Sequence, residues 1–148
     1  MTRSQRLAPV QDVVENAERR LAQSLAVFER KVSEAEAKLQ ELTRYRGEYE
    51  QQFTQRVASG MGVTELRDYQ AFLARLTEAM RQQQSVVLRA RADRDAERLR
   101  WQDAAKRAKA LDHVVTQWQN DERRTAERRE QRDTDERAQR ISKRDLQS

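Results

Sequence analysis

The chain has 148 residues, of which 36% are hydrophobic and 37% charged, and it contains three Gly, one Pro and no Cys. Its 30 basic and 25 acidic residues leave a net charge of +5, and only 27 residues are Leu, Ile, Val or Phe, too few for a compact globular core. This composition favours a long helix or coiled coil, excludes a disulfide framework and, because turn residues are scarce, excludes a β-rich fold.

The sequence also lacks the apolar segments of a membrane or exported protein. No run of about 18 apolar residues is present, as a transmembrane helix would require. Residues 1–11 lack the apolar stretch of a signal peptide. We therefore expect a cytoplasmic protein.

The first predicted helix carries apolar residues at steps of seven. One row comprises Leu7, Val14, Leu21, Phe28, Ala35, Leu42 and Tyr49. A companion row starts as Val10 and Ala17 and then shifts by one residue to Leu25, Val32, Leu39, Arg46 and Phe53. Apolar residues every three or four positions are typical of a left-handed coiled coil. Pro9 is expected in the first helical turn, where its missing N–H costs nothing.

A single segment, residues 57–64, has the composition of a loop, because it contains Gly60 and Gly62. Thr64 follows these glycines and precedes Glu65, which predicts Thr64 as the N-cap of a second helix. Two helices joined by a short glycine-containing loop run antiparallel.

The second predicted helix repeats the seven-residue spacing. One row is Leu66, Leu73, Met80, Val87, Arg94, Trp101, Ala108 and Val115. The other is Tyr69, Leu76, Gln83, Ala90, Glu97, Ala104, Leu111 and Trp118. Both rows turn polar at Arg94 and Glu97, so we expect poor packing there.

The fold class predicted from these rows is all-α, with an antiparallel two-helix coiled coil, or long helical hairpin, at residues 1–118. A turn near residue 60 pairs positions whose numbers sum to about 120, which uses up the first helix by position 118. Residues 119–148, with 17 charged side chains, then have no partner. We expect this C-terminal extension to be either a lone charged helix or disordered.

Catalysis is not expected from this chain. A two-helix coiled coil offers no concave pocket for a substrate. The single histidine, His113, lies off the apolar rows, and the segment around Gly60 lacks the Lys of a phosphate-binding loop. We therefore predict no enzymatic activity, no cofactor and no metal site.

Five of the eight aromatic residues lie within about 15 positions of Gly60. Tyr49, Phe53 and Tyr69 belong to the apolar rows and are interpreted as core, whereas Phe72 and Tyr45 flank them. An apolar face this wide exceeds what two helices cover, and exposed aromatic patches often mark partner contacts.

Basic residues are concentrated between Arg81 and Lys109, where nine basic side chains accompany four acidic ones. Nucleic-acid binding is not favoured, because acidic residues interleave and both Trp residues fit the apolar rows. A solvated face or an acidic protein partner is the preferred interpretation.

These features together resemble a known family. They are the length, the element Tyr45-Arg-Gly-Glu-Tyr49, the Gly60/Gly62 turn, the element Tyr69-Gln-Ala-Phe72-Leu, and an Arg-rich C-terminal tail. The chain resembles the FliJ family, small coiled-coil proteins of flagellar type III export. The resemblance implies a non-enzymatic component of flagellum biogenesis and motility, similar to the central stalk of rotary ATP synthases.

The resemblance also implies partners and a location. Such proteins bind and activate the hexameric export ATPase, contact the cytoplasmic region of the export-gate membrane protein, and escort export chaperones. They are cytoplasmic and associate peripherally with the inner membrane through the export apparatus.

Candidate site residues follow from carrying the resemblance onto this sequence. Gate binding is expected at Leu42, Tyr45, Tyr49, Phe72, Leu76, Ala79 and Gln83. The resemblance implies that the ATPase ring contacts the open end of the hairpin. The candidates there, chosen for their position and charge, are Gln11, Val13, Arg19, Arg20, Lys106, Arg107 and Lys109. The alternatives are a generic coiled-coil scaffold that dimerises through its exposed stripe, and the injectisome counterpart of the same stalk.

Overall fold

The computed structural model describes residues 1–147 as two α-helices joined by a short turn. Helix α1 spans Arg3–Ser59 and helix α2 spans Val63–Gln147. The helices are antiparallel, because contacts pair early residues of α1 with late residues of α2, and no strand occurs among residues 1–147. The predicted all-α fold, an antiparallel helical hairpin, is confirmed.

Helix α1 begins with a capping box. The Gln5 N–H donates to Thr2 Oγ1 at 3.3 Å, and the Thr2 N–H donates to Gln5 Oε1 at 3.1 Å. The Arg6 N–H donates to the carbonyl oxygen of Thr2 at 3.1 Å and closes the first turn. These bonds satisfy groups that a helix start leaves unpaired. The helix therefore starts upstream of Pro9, which lies in the second turn and not in the predicted first turn.

The turn between the helices is shorter than the predicted segment, residues 57–64. Helix α1 ends where Gly60 adopts φ of 96°, a left-handed conformation that favours glycine. Helix α2 begins with a hydrogen bond from the Leu66 N–H to the carbonyl oxygen of Gly62 at 3.0 Å, which makes Gly62 the N-cap. The prediction of Thr64 as N-cap is wrong, because Thr64 already lies inside the helix. The connection is residues 60–62.

The chain divides into two compact units, Arg20–Gln102 and the combination of Met1–Arg19 with the chain from Asp103 onward. In the unit Arg20–Gln102, the predicted heptad rows form the line of contact between the helices, which we call the seam. Every residue of these rows within the unit is buried or partly buried. Gln83 joins the two helices there, because its Nε2 donates to the carbonyl oxygen of Ala35 at 3.0 Å.

The polar stretch of this seam, for which poor packing was predicted, is buried or partly buried and its charges are paired. Glu97 is buried and its Oε2 lies 3.3 Å from Arg100 Nη1. Arg94 is partly buried and its Nη2 lies 3.1 Å from Asp95 Oδ1. Each charged group finds a partner on its own helix while its aliphatic stem covers the seam.

In the unit formed by Met1–Arg19 and the chain from Asp103, one predicted row is wrong. Val10 is exposed, and Gln11 takes the seam position in its place. The companion row of α1 thus keeps its step of seven back to Gln11 and Ser4 without any shift. Polar residues hold these seam positions because both are hydrogen-bonded to α2, Gln11 to Asp112 and Ser4 to Glu122.

Helix α2 extends to Gln147, and the side chains of residues 123–147 are exposed. The expectation that nothing beyond position 118 meets α1 is wrong at Glu122, which is partly buried and accepts hydrogen bonds from Ser4. The contact reaches this far because the capping box lets α1 begin at Arg3.

Candidate partner-binding surfaces

The five aromatic residues near the turn form one continuous cluster across the seam. Tyr49 lies at the centre, with ring centroids 4.8 Å from Tyr69 and 4.5 Å from Phe72. Phe53 extends the cluster toward the turn at 5.5 Å from Tyr69, and Tyr45 packs edge-on against Phe72 at 6.2 Å. Tilted and edge-on aromatic pairs stabilise a contact beyond simple burial of area.

The centre of this cluster is partly buried, whereas its edge at Tyr45 is exposed. Desolvation, with the neighbouring phenol groups of Tyr69 and Tyr45, raises the pKa of Tyr49. Tyr45, by contrast, is 48% exposed. The interpretation of Tyr49, Phe53 and Tyr69 as seam residues agrees with their partial burial, and Tyr45 presents an aromatic face to solvent.

The seven residues predicted for gate binding fall into two groups. Leu42, Tyr45, Tyr49, Phe72 and Ala79 are partly or largely accessible. Leu76 and Gln83 are only 8% exposed, because both occupy seam positions against α1. Only the other five present substantial surface to solvent, and we call these five residues the aromatic surface.

The two sides of the seam differ in chemistry. One side, the ionic flank, carries ion pairs between the helices, Glu36 with Arg91 at 2.9 Å and Glu29 with Arg98 at 3.7 Å. The opposite side, the open flank, carries residues at steps of seven on each helix. They are Lys31, Lys38 and Tyr45 on α1, and Phe72, Ala79 and Val86 on α2. The open flank therefore carries accessible apolar side chains, among them Tyr45 and Val86, directly beside the seam.

The residues predicted for the ATPase ring are mostly exposed, and six of the seven lie in the unit formed by Met1–Arg19 and the chain from Asp103. These six are Gln11, Val13, Arg19, Lys106, Arg107 and Lys109, whereas Arg20 belongs to the other unit. Gln11 is the one residue of the seven that is partly buried. It lies in the seam, and its Nε2 donates a hydrogen bond to Asp112 Oδ1 at 3.2 Å.

A polar clasp at the start of α1 was missed by the sequence reasoning. Glu122 accepts hydrogen bonds from Ser4 Oγ at 2.6 Å and from the Ser4 N–H at 3.1 Å, and these bonds lower the pKa of Glu122. The Arg3 guanidinium stacks 4.5 Å from the Trp118 ring. The sequence did hold one signal, because Thr2 followed three residues later by Gln5 is a capping-box pattern.

Other kinds of site receive no support within residues 1–147. No group of three His, Asp or Glu side chains in that range comes together as possible metal ligands. Neither described helix contains a stretch long and apolar enough to cross a membrane. His113 is exposed, as its position off the apolar rows predicted.

Comparison with known proteins identifies the family. The family model described as Flagellar FliJ protein matches residues 3–147, which is nearly the whole chain. No curated protein and no solved structure matches the chain. The matched range contains both helices, the turn and the aromatic cluster. The chain therefore belongs to the FliJ family and is a coiled-coil protein of flagellar export.

Proposed function

We propose that the protein is a non-enzymatic, stalk-like component of the flagellar export apparatus that binds and activates the hexameric export ATPase. Family membership together with the two-helix seam carries this proposal. Two helices side by side are about 20 Å wide, which is narrow enough to enter a protein ring. To activate the ATPase, the stalk must bind some states of the ring more tightly than others.

The candidate ATPase contact is the basic group Lys106, Arg107 and Lys109. All three side chains are exposed, so replacing them leaves the seam unchanged. Charged contacts at an exposed surface are individually weak and screened by salt, so several should act together.

The ATPase contact is tested by reversing three charges. The variant Lys106→Glu/Arg107→Glu/Lys109→Glu should keep its helicity by circular dichroism but lose most stimulation of the purified export ATPase. A matched control, Arg128→Glu/Arg129→Glu/Arg132→Glu, makes the same charge change in the exposed extension and should keep stimulation. Equal stimulation by both variants would contradict the assigned contact.

We further propose that the aromatic surface binds the cytoplasmic region of the export-gate membrane protein. Support comes from Tyr45, a residue that is 48% exposed although its ring packs against Phe72. Exposed aromatic residues over a packed base resemble the residues that dominate binding energy at interfaces.

The gate contact is tested with a pair of equally exposed residues. Tyr45→Ala should weaken binding of the gate's cytoplasmic region about tenfold or more in a pull-down or titration. Val57→Ala is the control, since Val57 is also 48% exposed but lies outside the aromatic surface. Unchanged binding by Tyr45→Ala would remove the assignment.

Escort of export chaperones and peripheral association with the inner membrane complete the proposal. Both follow from the family, and both depend on binding rather than chemistry. Co-purification of the chain with export chaperones and its loss from the membrane fraction when the export gate is deleted are the expected observations.

The rival functions are a generic scaffold and the injectisome counterpart of the stalk. A scaffold that dimerises through the aromatic surface predicts a concentration-dependent mass in sedimentation, lost in Tyr45→Ala/Phe72→Ala. Stimulation of an injectisome ATPase in preference to the flagellar enzyme would favour the second rival.

A further inference from the structure

The open flank continues past the aromatic surface into a second accessible depression. A groove of about 530 Å³ lies between the helices of the unit Arg20–Gln102. Its apolar lining includes Phe28 and Ala35 from α1, with Val86 and Ala90 from α2. Val86 is 50% exposed although it lies immediately beside the seam residue Val87. We call this depression the lysine groove.

Three cations surround the apolar lining. Lys31, Lys38 and Arg89 all line the groove, and Lys31 Nζ lies 5.2 Å from the centre of the Phe28 ring. Within residues 1–147, none of these three cations forms an ion pair with a carboxylate. The arginines of the ionic flank, by contrast, are paired across the helices. The positive charge of this groove is therefore available to a partner.

Two acidic residues also line the groove, and their positions refine the expected partner. Glu34 lies one helical turn from Lys31 and Lys38 on the same helix. Asp93 lies seven residues beyond Val86, about 10 Å further along the helix axis. Basic residues thus outnumber acidic ones in the lining by three to two, with Glu34 between the two lysines and Asp93 toward one end.

We propose that the lysine groove docks an amphipathic helix of a partner protein whose apolar stripe is bordered by acidic residues, with a basic residue at the end nearest Asp93. A third helix would cover the Phe28 and Val86 side chains and complete a three-helix packing arrangement. Its carboxylates would pair with Lys31, Lys38 and Arg89. Lys38 also borders the depression beside Tyr45, and Gln83, which was predicted for gate binding, lines the groove, so the lysine groove adjoins the aromatic surface.

The test uses a labelled amphipathic peptide of about three heptads, with a leucine stripe, glutamate borders and one lysine at an end. Fluorescence anisotropy should show saturable binding to the full chain that weakens as salt is added. A second peptide with the charges inverted should bind at least tenfold more weakly. Failure of the acidic peptide to bind, or equal binding of both peptides, would overturn the proposal.

Matched variants locate the site. Val86→Glu and Lys31→Glu/Lys38→Glu should each weaken binding of the acidic peptide about tenfold or more. Leu88→Glu is the control for the first, since Leu88 is 65% exposed two residues away on a different face. Arg30→Glu/Arg67→Glu is the control for the second. Equal losses in a variant and its control would show that binding is not at this groove.

The same variants distinguish two other possible occupants of the lysine groove, a second copy of the chain and a nucleic acid. A second copy of the chain on the groove would give a concentration-dependent mass in sedimentation that Val86→Glu abolishes. A nucleic acid would give binding of a labelled DNA duplex that depends on Lys31 and Lys38. Either result would overturn the proposal of an acidic helix.

Discussion

Gly60 in the turn and Gly47 in helix α1 differ in whether their backbone conformation requires glycine. Gly60 has φ of 96°, a conformation that costs an L-residue energy through its Cβ. Gly47 lies inside α1, and an added Cβ there would meet nothing within 4 Å. The first glycine is therefore needed by the turn, and the second only weakens its helix.

The same substitution should have opposite effects at these two positions. Gly60→Ala is expected to lower the free energy of unfolding by about 1–2 kcal/mol because of left-handed strain. Gly47→Ala is expected to raise it by about 0.5–1 kcal/mol because alanine favours helix. Urea unfolding followed by circular dichroism measures both, and changes of the same sign would contradict the assigned roles.

Glu122 provides a pH-dependent contact at the residue scale. Its hydrogen bonds from Ser4 lower its pKa in the folded protein. A lowered carboxyl pKa means that the contact stabilises the fold above the ordinary pKa of 4.5, and that this stabilisation is lost as the pH falls through the lowered value. The start of α1 should therefore loosen in acid.

The NMR shift of the Ser4 amide proton should report this titration. The shift should move as the pH falls below the ordinary carboxyl pKa of 4.5, because the Glu122 carboxylate is then protonated and its hydrogen bond is lost. Glu122→Gln should abolish this movement while leaving the rest of the spectrum in place. A Ser4 shift that titrates identically in Glu122→Gln would assign the effect to another group.

Within each helix, the heptad position of a residue decides its environment more strongly than its type does. Val86 and Val87 are neighbours of the same type, yet Val86 is 50% exposed and Val87 is 4% exposed. Val87 lies in the seam and Val86 on the open flank. Val87 is therefore assigned to the stability of the hairpin, and Val86 is a candidate for partner binding.

Alanine substitutions at this pair should separate the two roles. Val87→Ala is expected to lower the free energy of unfolding by about 1.5–2.5 kcal/mol, through lost burial and a residual cavity. Val86→Ala is expected to change it by less than about 0.5 kcal/mol. Thermal or urea unfolding provides the measurement, and comparable destabilisation by both would contradict the seam assignment.

At the scale of the whole chain, the C-terminal extension is set apart from the seam by its exposure. Side chains of residues 123–147 are exposed, whereas Glu122 is joined to Ser4. We keep the prediction that the extension is a region separate from the hairpin, with its boundary placed after Glu122 and not at position 118.

Two truncations test that boundary. A chain ending at Ala126 should lose the helical signal of the extension yet keep the unfolding midpoint of the remainder, because little apolar surface is removed. A chain ending at Asn120 also removes Glu122 and should loosen the first turn of α1, seen as faster hydrogen exchange at Ser4 and Gln5. Identical exchange in both truncations would show that Glu122 does not hold the first turn.

By itself the sequence determined the heptad rows, the antiparallel hairpin and the position of the turn, because helical period and glycine geometry are local properties of the chain. Sequence also indicated the aromatic residues near the turn and the family. It misplaced Val10 and Thr64, and it left Glu122 without a partner. Only the tertiary structure decided that Ser4 and Gln11 occupy seam positions, and that Leu76 and Gln83 are too buried to belong to the aromatic surface. The reason is physical: a polar residue is stable in a seam only when a partner satisfies it, and for Ser4 and Gln11 that partner lies more than 100 positions away in the chain.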